Sequence, residues 1–326
     1  MRFLARFLID SAVLLLVASA GTALAQGGRG YPDKTVRIVV GYSPGGLPDT
    51  VARVVGQRLS EQWGQQAVVE NRPGANGIVG AEMVAKATPD GYTLLVTDNS
   101  TTAINPFLYT KLPYQSKDLA PVSMIARAPL YLAAHPSFPA DSFQELIALV
   151  KSNPGKFSYG SSGIGSTHHL CMEFMDAELG LQMTHVPYKG TGQSVPALVA
   201  GQVPLVWSAY PSLAAYAKDG RIKLLAVNSA KRSASAPNLP AVAETLPGFN
   251  FAPTIGVFAP AGTPKDLIAK ISADVVEALK APDVVTRLNN LDIQPVGSTP
   301  EQYAAELLAD DARYSKAVKI SGAKVE

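Results

Sequence analysis

The chain has 326 residues, with 28 lysines and arginines against 26 aspartates and glutamates, and a formal net charge of +2 at pH 7. This balance excludes the strong basic surface with which proteins bind nucleic acid or anionic membranes. The length suggests two domains, and the single cysteine, Cys171, excludes an intramolecular disulfide.

The first 25 residues are predicted to be a cleavable signal peptide. Arg2 and Arg6 precede an apolar run at residues 12–18, and residues 23–25 read Ala-Leu-Ala, the small-x-small pattern of a cleavage site. An uncleaved membrane anchor is the alternative, but a lipid span needs about 20 apolar residues and Asp10 interrupts this segment. We therefore expect a secreted mature chain.

Strand and helix patterns alternate through the next part of the chain. Apolar, β-branched runs at residues 36–40, 67–70 and 93–97 predict strands, and apolar positions at helical spacing near residues 51–59 and 78–87 predict helices between them. Strands joined by crossover helices are typical of parallel sheets. The sequence therefore predicts a βαβαβ unit.

A second set of elements is expected from about residue 126. Strands are predicted at residues 157–159, 185–188, 203–207 and 223–227, and helices at residues 143–151, 167–179 and 194–200. Ser142, with Glu145 three residues later, gives the first of these helices a capping-box start.

The last elements are a strand at residues 255–259, a long helix near residues 267–279 and a terminal helix from Pro300. One clear strand makes a poor sheet of its own, so we expect these elements to pack on the first lobe. The predicted domains are lobe 1, residues 26–125 plus 255–326, and lobe 2, residues 126–254. The two crossings between them predict a hinge.

Polar or glycine-rich loops follow four of the predicted strands, at residues 41–49, 98–102, 160–167 and 188–192. In parallel sheets the ligand lies beyond the carboxyl ends of the strands, where glycines let backbone amides approach and helix starts favour anions. The loops therefore predict a ligand with carboxylate groups. The predicted ligand-binding residues are Tyr42, Ser43, Gly45, Gly46, Asp49, Ser100, Ser161, Gly165, Ser166, Thr167, Lys189, Gly190 and Tyr210.

Simpler interpretations stay open for several of these residues. Each glycine loop alone is typical of a strand-to-helix turn, and Ser166 suits a helix N-cap. Asp49 suits a bond to its own loop or helix start, and Lys189 suits a solvated surface charge.

A metal site, a cofactor and catalysis are not expected. Adjacent histidines on a helix, His168 and His169, point about 100° apart, which argues against a shared metal ion with His185. Ser161 or Ser166 could pair with a histidine in a hydrolase, but the sequence has no G-x-S-x-G elbow. The loop at residues 160–165 also lacks the order of a dinucleotide-binding fingerprint.

Six segments together resemble the Bug family, the periplasmic receptors of tripartite tricarboxylate transporters, and they lie in matching order along the chain. They are residues 42–53, 69–77, 89–95, 159–168, 186–190 and 226–232. The resemblance implies the type II periplasmic-binding-protein fold, an α/β fold with two lobes, parallel-rich sheets and a ligand cleft between them. It places the ligand carboxylate against residues 42–46, with residues 161–167 closing from the other lobe.

The family's ligands include citrate and other di- and tricarboxylates, acidic amino acids and aromatic acids. The implied partners are one large and one small membrane subunit, or alternatively a signalling protein for which the receptor serves as a sensor; we expect a monomer. One position departs from the family, because Pro204 stands where an aspartate is usual. Proline removes a backbone donor, which predicts an altered strand or an edge strand there.

Overall fold

The computed structural model describes residues 30–323, so the signal peptide expected at residues 1–25 lies outside the described range. The chain divides into two compact units, Met1–Asp33 and Lys34–Glu326. Of the first unit only residues 30–33 are described, and they contain no helix or strand. In the described part of the chain, no helix is long and apolar enough to cross a membrane.

The first sheet within the described residues has six strands in the order β11-β4-β10-β3-β1-β2. They are β1 (Val36–Val40), β2 (Ala67–Asn71), β3 (Thr93–Asp98), β4 (Leu119–Arg127), β10 (Thr254–Pro260) and β11 (Gln294–Pro295). β1 pairs in parallel with β2 and β3, which confirms the predicted βαβαβ unit. β10 lies between β3 and β4 and runs antiparallel to both. The late strand thus completes this sheet, as expected.

The second sheet has the order β7-β6-β8-β5-β9. Its strands are β5 (Leu130–Ala134), β6 (Phe157–Ser161), β7 (Met183–Pro187), β8 (Leu205–Ala209) and β9 (Lys223–Val227). β6 pairs in parallel with β7 and β8, whereas β5 runs antiparallel to β8 and β9. β5, whose five residues are all buried, was not predicted from the sequence.

The strand predicted at residues 203–207 begins two residues later, at Leu205. Of the two expectations at Pro204, the edge strand was wrong, because β8 lies in the interior of the sheet, between β6 and β5. The later start, directly after Pro204, agrees with the altered strand. Pro204 stands just before the strand, where a missing N–H removes no ladder bond. Its carbonyl oxygen accepts a hydrogen bond from the backbone N–H of His135 at 2.9 Å.

Helices flank both sheets. They are α1 (Leu47–Trp63), α2 (Ile78–Ala85), α3 (Asn105–Leu108), α4 (Phe143–Lys151), α5 (Thr167–Leu179), α6 (Thr191–Val199), α7 (Tyr210–Lys218), α8 (Lys265–Lys280), α9 (Pro282–Asn289) and α10 (Pro300–Ser321). Ser142 caps α4 as predicted, since the Glu145 N–H donates to Ser142 Oγ at 3.2 Å. The second bond of a capping box is not formed, because the Glu145 carboxylate accepts from the Asp141 N–H at 2.7 Å. A π-helical turn at Ser100–Ile104 follows β3.

We name the first sheet with α1–α3 and α8–α10 lobe 1, and the second sheet with α4–α7 lobe 2. The chain passes to lobe 2 between β4 and β5 and returns before β10. Buried Asn228 joins these two passages, because its Oδ1 accepts from the Leu130 N–H at 2.7 Å and its Nδ2 donates to the Phe251 carbonyl at 2.8 Å. The predicted lobe boundaries, at residues 125/126 and 254/255, stay a prediction.

Candidate functional site

A cavity of about 250 Å³, here called the cleft cavity, lies between the two lobes. Loops that follow β1, β2, β6 and β7 provide most of its lining, so it lies at the carboxyl ends of these strands, where a ligand site is expected. Pockets for drug-sized ligands typically have volumes of about 300–1,000 Å³. The smaller volume of the cleft cavity suits a smaller molecule. The lining residues are Gly41, Tyr42, Gly74, Ala75, Asn76, Gly77, Tyr109, Ser162, Gly163, Ile164, Pro187, Tyr188 and Lys189.

A smaller space of about 20 Å³, here called the inner recess, shares Tyr42 and Ser162 with the cleft cavity. The first turns of α1, α5 and α6 supply part of its lining through Leu47, His168 and Thr191. Helix N-termini carry partial positive charge and unpaired N–H groups, which favour an anion. The buried Asp98 side chain also lines this recess, so three helix starts and one carboxyl group face the same space, which is large enough for about one water molecule.

Tyr42 forms the boundary between the two spaces. Its hydroxyl donates to Asp98 Oδ1 at 2.8 Å, and the Ser100 N–H donates to the same oxygen at 3.0 Å. Burial raises the pKa of Asp98, and burial together with the nearby Asp98 carboxylate raises the pKa of Tyr42 well above its ordinary value. Tyr42 therefore stays a neutral phenol, and its hydrogen bond to Asp98 fixes it to the end of β3 in lobe 1.

Several predicted site residues join the lobes directly. Ser43 Oγ donates to the Lys189 carbonyl at 3.3 Å, and the carbonyl oxygen of Gly45 accepts from Ser212 Oγ at 2.9 Å. The hydroxyls of Ser100 and Thr167 lie 3.2 Å apart. These contacts describe a molecule whose two lobes are closed on the cleft cavity.

Two of the predicted glycines are required by the close approach of the lobes. A Cβ at Gly190, where φ is +143°, would lie 3.1 Å from Ser43 Oγ, and one at Gly165, where φ is +74°, would lie 1.8 Å from Leu108 Cδ2. Both positions also have the left-handed backbone that glycine accepts without strain. Their role in the structure is to admit contact across the cleft.

Ser161 and Ser166 form hydrogen bonds within lobe 2. Ser161 Oγ donates to the Gly163 carbonyl at 3.1 Å and lies 2.6 Å from Nε2 of His185. Ser166 caps α5 by accepting from the His169 N–H at 3.2 Å, and its Oγ donates to the same Gly163 carbonyl at 2.7 Å. These hydroxyls therefore hold the shape of the loop that lines the cleft cavity.

Of the predicted ligand-binding residues, only Tyr42, Gly46 and Lys189 line either space, so Asp49 and Tyr210 lie outside both linings, as do the other eight. Asp49 is only 3% exposed, and its carboxylate accepts from the Gly45 N–H, from Arg53 and from Asn71 at 2.9–3.1 Å. It thus bonds its own loop and helix start, the simpler of its two interpretations. Tyr210 begins α7 and packs against Tyr131, with 5.6 Å between the ring centroids.

Lys189 is the one charged side chain among the residues that line the cleft cavity. It is exposed, and no ion pair within the described residues involves it. The remaining predicted residue, Gly46, lines the inner recess.

The prediction omitted residues 74–77, Tyr109, Ser162 and Tyr188 from the site, although all of them line the cleft cavity. Residues 74–77, Gly-Ala-Asn-Gly, form a glycine-rich turn that follows β2. This is the same signal that singled out the other loops, and it could have identified this one. Tyr109 carries no such local signal, because it follows the short helix α3 rather than a strand.

His169 and His185 stack on each other, whereas Nδ1 of His168 lies 2.7 Å from Ser162 Oγ. The rings of His169 and His185 lie 3.9 Å apart between centroids, and burial lowers the pKa of His169 to about 3 and that of His185 to about 4. No group of three His, Cys, Asp or Glu residues in the described part of the chain could hold a metal ion. Among the described residues no carboxylate forms a hydrogen bond with His185, so its contact with Ser161 lacks the third member of a catalytic triad.

Two α/β lobes that close on a small cavity at the carboxyl ends of their strands define a two-lobed solute-binding protein. The sequence model of the tripartite tricarboxylate transporter family receptor matches residues 51–321. The chain therefore belongs to this receptor family, which confirms the resemblance found in its motifs. Receptor proteins of this kind bind solutes, in agreement with the expectation of a binding protein rather than an enzyme.

Individual relatives cover nearly the whole chain. Protein BugT of Bordetella pertussis is 34% identical over 315 residues, which span 96% of this chain and 97% of BugT. The solved structure of R. palustris Rpa4515 with adipate is 34% identical, covers 90% of this chain and 100% of that chain, and has a TM-score of 0.88. MatC from Rhodopseudomonas palustris with bound malate is 32% identical, covers 88% and 100%, and has a TM-score of 0.83.

Proposed function

We propose that the protein is a periplasmic receptor that captures a small carboxylate by closing its two lobes and passes it to a membrane transporter with one large and one small subunit. The observation that carries the proposal is the cleft cavity, enclosed by glycine- and hydroxyl-containing loops from both lobes. The structures of Rpa4515 with adipate and MatC with malate support a dicarboxylate as the ligand class.

The chemistry of the site favours an anion held by many weak donors rather than by one ion pair. Helix starts and glycine loops present backbone N–H groups, and charge-assisted hydrogen bonds contribute about 1.5–3 kcal/mol each. Lys189 adds a positive charge at the exposed rim, where ion pairs contribute only about 0–1 kcal/mol. A carboxylate ligand thus gains most of its binding energy from the buried loops.

Closure follows from the same arrangement. A ligand in the cleft cavity contacts loops of both lobes only when they are closed, and a ligand shifts a conformational equilibrium only through such differential contacts. Small-angle scattering should therefore show a smaller radius of gyration after saturation with ligand. An unchanged radius would favour a rigid, preformed site.

A thermal-shift screen over malate, succinate, adipate, citrate, glutamate and benzoate tests the ligand class. One site occupied at a hundredfold excess over Kd stabilises the fold by about 2.7 kcal/mol, which raises the melting temperature of a chain this size by several degrees. Calorimetry on each hit then gives the affinity. Absence of binding to every carboxylate in the panel would contradict the proposed function.

Two lysine variants distinguish the loops from an ion pair as the main source of affinity. Lys189→Ala should weaken binding by less than about tenfold, because the lost interaction is exposed. Lys218→Ala, an exposed lysine of α7 outside both spaces, is the matched control and should leave the affinity unchanged. Complete loss of binding in Lys189→Ala would show that a salt bridge dominates.

Delivery to a transporter is tested by uptake of radiolabelled ligand into cells. Uptake should require both the receptor and the two membrane subunits. Uptake that is equally fast without the receptor would remove the transport role and leave ligand sensing as the function of the same site.

A further inference from the structure

A second large cavity, here called the hinge pocket, lies where the chain crosses between the lobes. Its volume is about 640 Å³, against about 250 Å³ for the cleft cavity, and the two cavities share no lining residue. Both passages between the lobes line it, the first through residues 127–129 and the second through Asn250 and Ala252. The rest of the lining comes from residues 229–235 after β9 and, at the end of α9 and the start of β11, from Asn289, Asp292, Ile293 and Gln294.

The two walls of the hinge pocket belong to different lobes. Residues 229–235 lie in a loop that packs on the core of lobe 2 through buried Ala241, whereas β11 pairs with β4 of lobe 1. The hydroxyls of Tyr131 and Ser233, both buried residues of lobe 2, donate to Oδ2 of Asp292 in lobe 1 at 2.5 and 2.8 Å. Most of residues 229–235 are exposed. The walls therefore touch at the inner end of the pocket and are separate at its rim.

The hinge pocket lies on the opposite side of the crossings from the cleft cavity. In the first sheet the cleft loops follow β1 and β2 at one edge, whereas the hinge pocket is lined by Gln294 of β11 at the other edge. In the second sheet the cleft loops follow β6 and β7 at one edge, and residues 229–235 follow β9 at the other. The chain leaves lobe 1 from β4 and returns to it at β10, and both strands lie between the two edges of the first sheet. A rotation about the crossings that widens the cleft therefore narrows the hinge pocket.

We propose that the hinge pocket controls closure of the cleft, because bulk between its walls, whether a bound molecule or a larger side chain, opposes opening. This inference rests on the proposed function, since it acts on the closure that ligand binding requires. The closed lobes leave room for one added side chain in the hinge pocket, whereas opening would press that side chain against the opposite wall. The apparent affinity is proportional to the fraction of binding-competent molecules, so a shift toward the closed state strengthens binding at the cleft.

Two tryptophan substitutions, here called the wedges, test this from opposite walls. Ala234→Trp adds an indole to the lobe 2 wall and Gln294→Trp adds one to the lobe 1 wall; both positions are exposed, so neither change disturbs the core of a lobe. Each wedge is made in the wild type and in Gly192→Ala. A Cβ at Gly192 would lie 2.8 Å from the Pro44 carbonyl oxygen in the other lobe and hinders closure.

Calorimetry uses the acid of the panel malate, succinate, adipate, citrate, glutamate and benzoate that the wild type binds most tightly. We expect each wedge to tighten binding in Gly192→Ala by about threefold or more, because the closed fraction there leaves room to rise. In the wild type the affinity should rise or stay the same, according to how far the unliganded protein is already closed. Scattering without ligand should show a smaller radius of gyration for Gly192→Ala with a wedge than for Gly192→Ala alone.

Asn238→Trp is the matched control, since it adds the same side chain to an exposed position of the same loop outside the lining, and it should change neither affinity nor radius. Unchanged or weaker binding with both wedges in Gly192→Ala would overturn the inference and leave the proposed function intact. An equal gain from Asn238→Trp would also overturn it, because the effect would then belong to the added indole and not to the pocket. If no acid of the panel binds, the proposed function is removed, and an unchanged radius in the unliganded wedge variants overturns the inference separately.

Discussion

Gly192 offers a direct way to separate ligand binding from lobe closure. It lies in the first turn of α6 in lobe 2, and a Cβ at this position would lie 2.8 Å from the Pro44 carbonyl oxygen and 3.1 Å from Ser43 Cβ, both in lobe 1. Its φ is not in the left-handed region, so alanine fits the helix itself. Gly192→Ala should therefore obstruct only the closed arrangement.

The cost of this obstruction follows from the contacts between the lobes. Relief of the clash requires the lobes to move apart, which lengthens the Ser43 to Lys189 bond of 3.3 Å and the Ser212 to Gly45 bond of 2.9 Å. Each neutral hydrogen bond contributes about 0.5–1.5 kcal/mol, so the loss of both costs about 1–3 kcal/mol. The affinity for ligand should then fall by about 5- to 150-fold.

Calorimetry gives the affinity, scattering gives the extent of closure, and urea unfolding gives stability. The free energy of unfolding without ligand should stay the same or rise slightly, since alanine is a better helix former than glycine. Gly46→Ala is the graded control, because its Cβ would meet the movable Thr191 side chain at 3.1 Å and should weaken binding less. Unchanged affinity and closure in Gly192→Ala would refute the reasoning.

Further expectations concern stability. Asn228→Ala leaves the Leu130 N–H and the Phe251 carbonyl unpaired at the crossings between the lobes, so urea unfolding should show a loss of about 2–5 kcal/mol; a loss below 1 kcal/mol would contradict this role. Asp49→Ala removes a buried carboxylate with three donors and should lower the unfolding free energy by about 1–3 kcal/mol, whereas an unchanged value would show that solvent replaces those bonds. Burial lowers the pKa of His185 from 6.5 to about 4, so the unfolded chain binds more protons between these values and stability falls as the pH falls through this window. The melting temperature of His185→Gln should therefore decrease less than that of the wild type between pH 7 and pH 4.5. An identical decrease would show that other groups cause the acid sensitivity.

Local patterns in the sequence determined much of the element order. The strand at residues 36–40 and the cap of α4 by Ser142 depend on neighbours a few residues away, where periodicity and capping act. The glycine loops after β1 and β6 were visible for the same reason, since glycines between a strand and a helix mark a tight turn. The sequence thus predicted the βαβαβ unit, the placement of β10 on lobe 1 and most of the loops that enclose the cleft cavity.

Only the tertiary structure decided how distant segments share their polar groups. The sequence predicts hydroxyl ligands at Ser161 and Ser166, but the fold uses both to shape a loop. The Asn76 side chain donates to Asn105, 29 residues away, and the close approach at Gly192 depends on Pro44 in the other lobe. Strand periodicity states which face of a segment is buried but not which segment covers it, because the covering partner is set by packing of the whole chain.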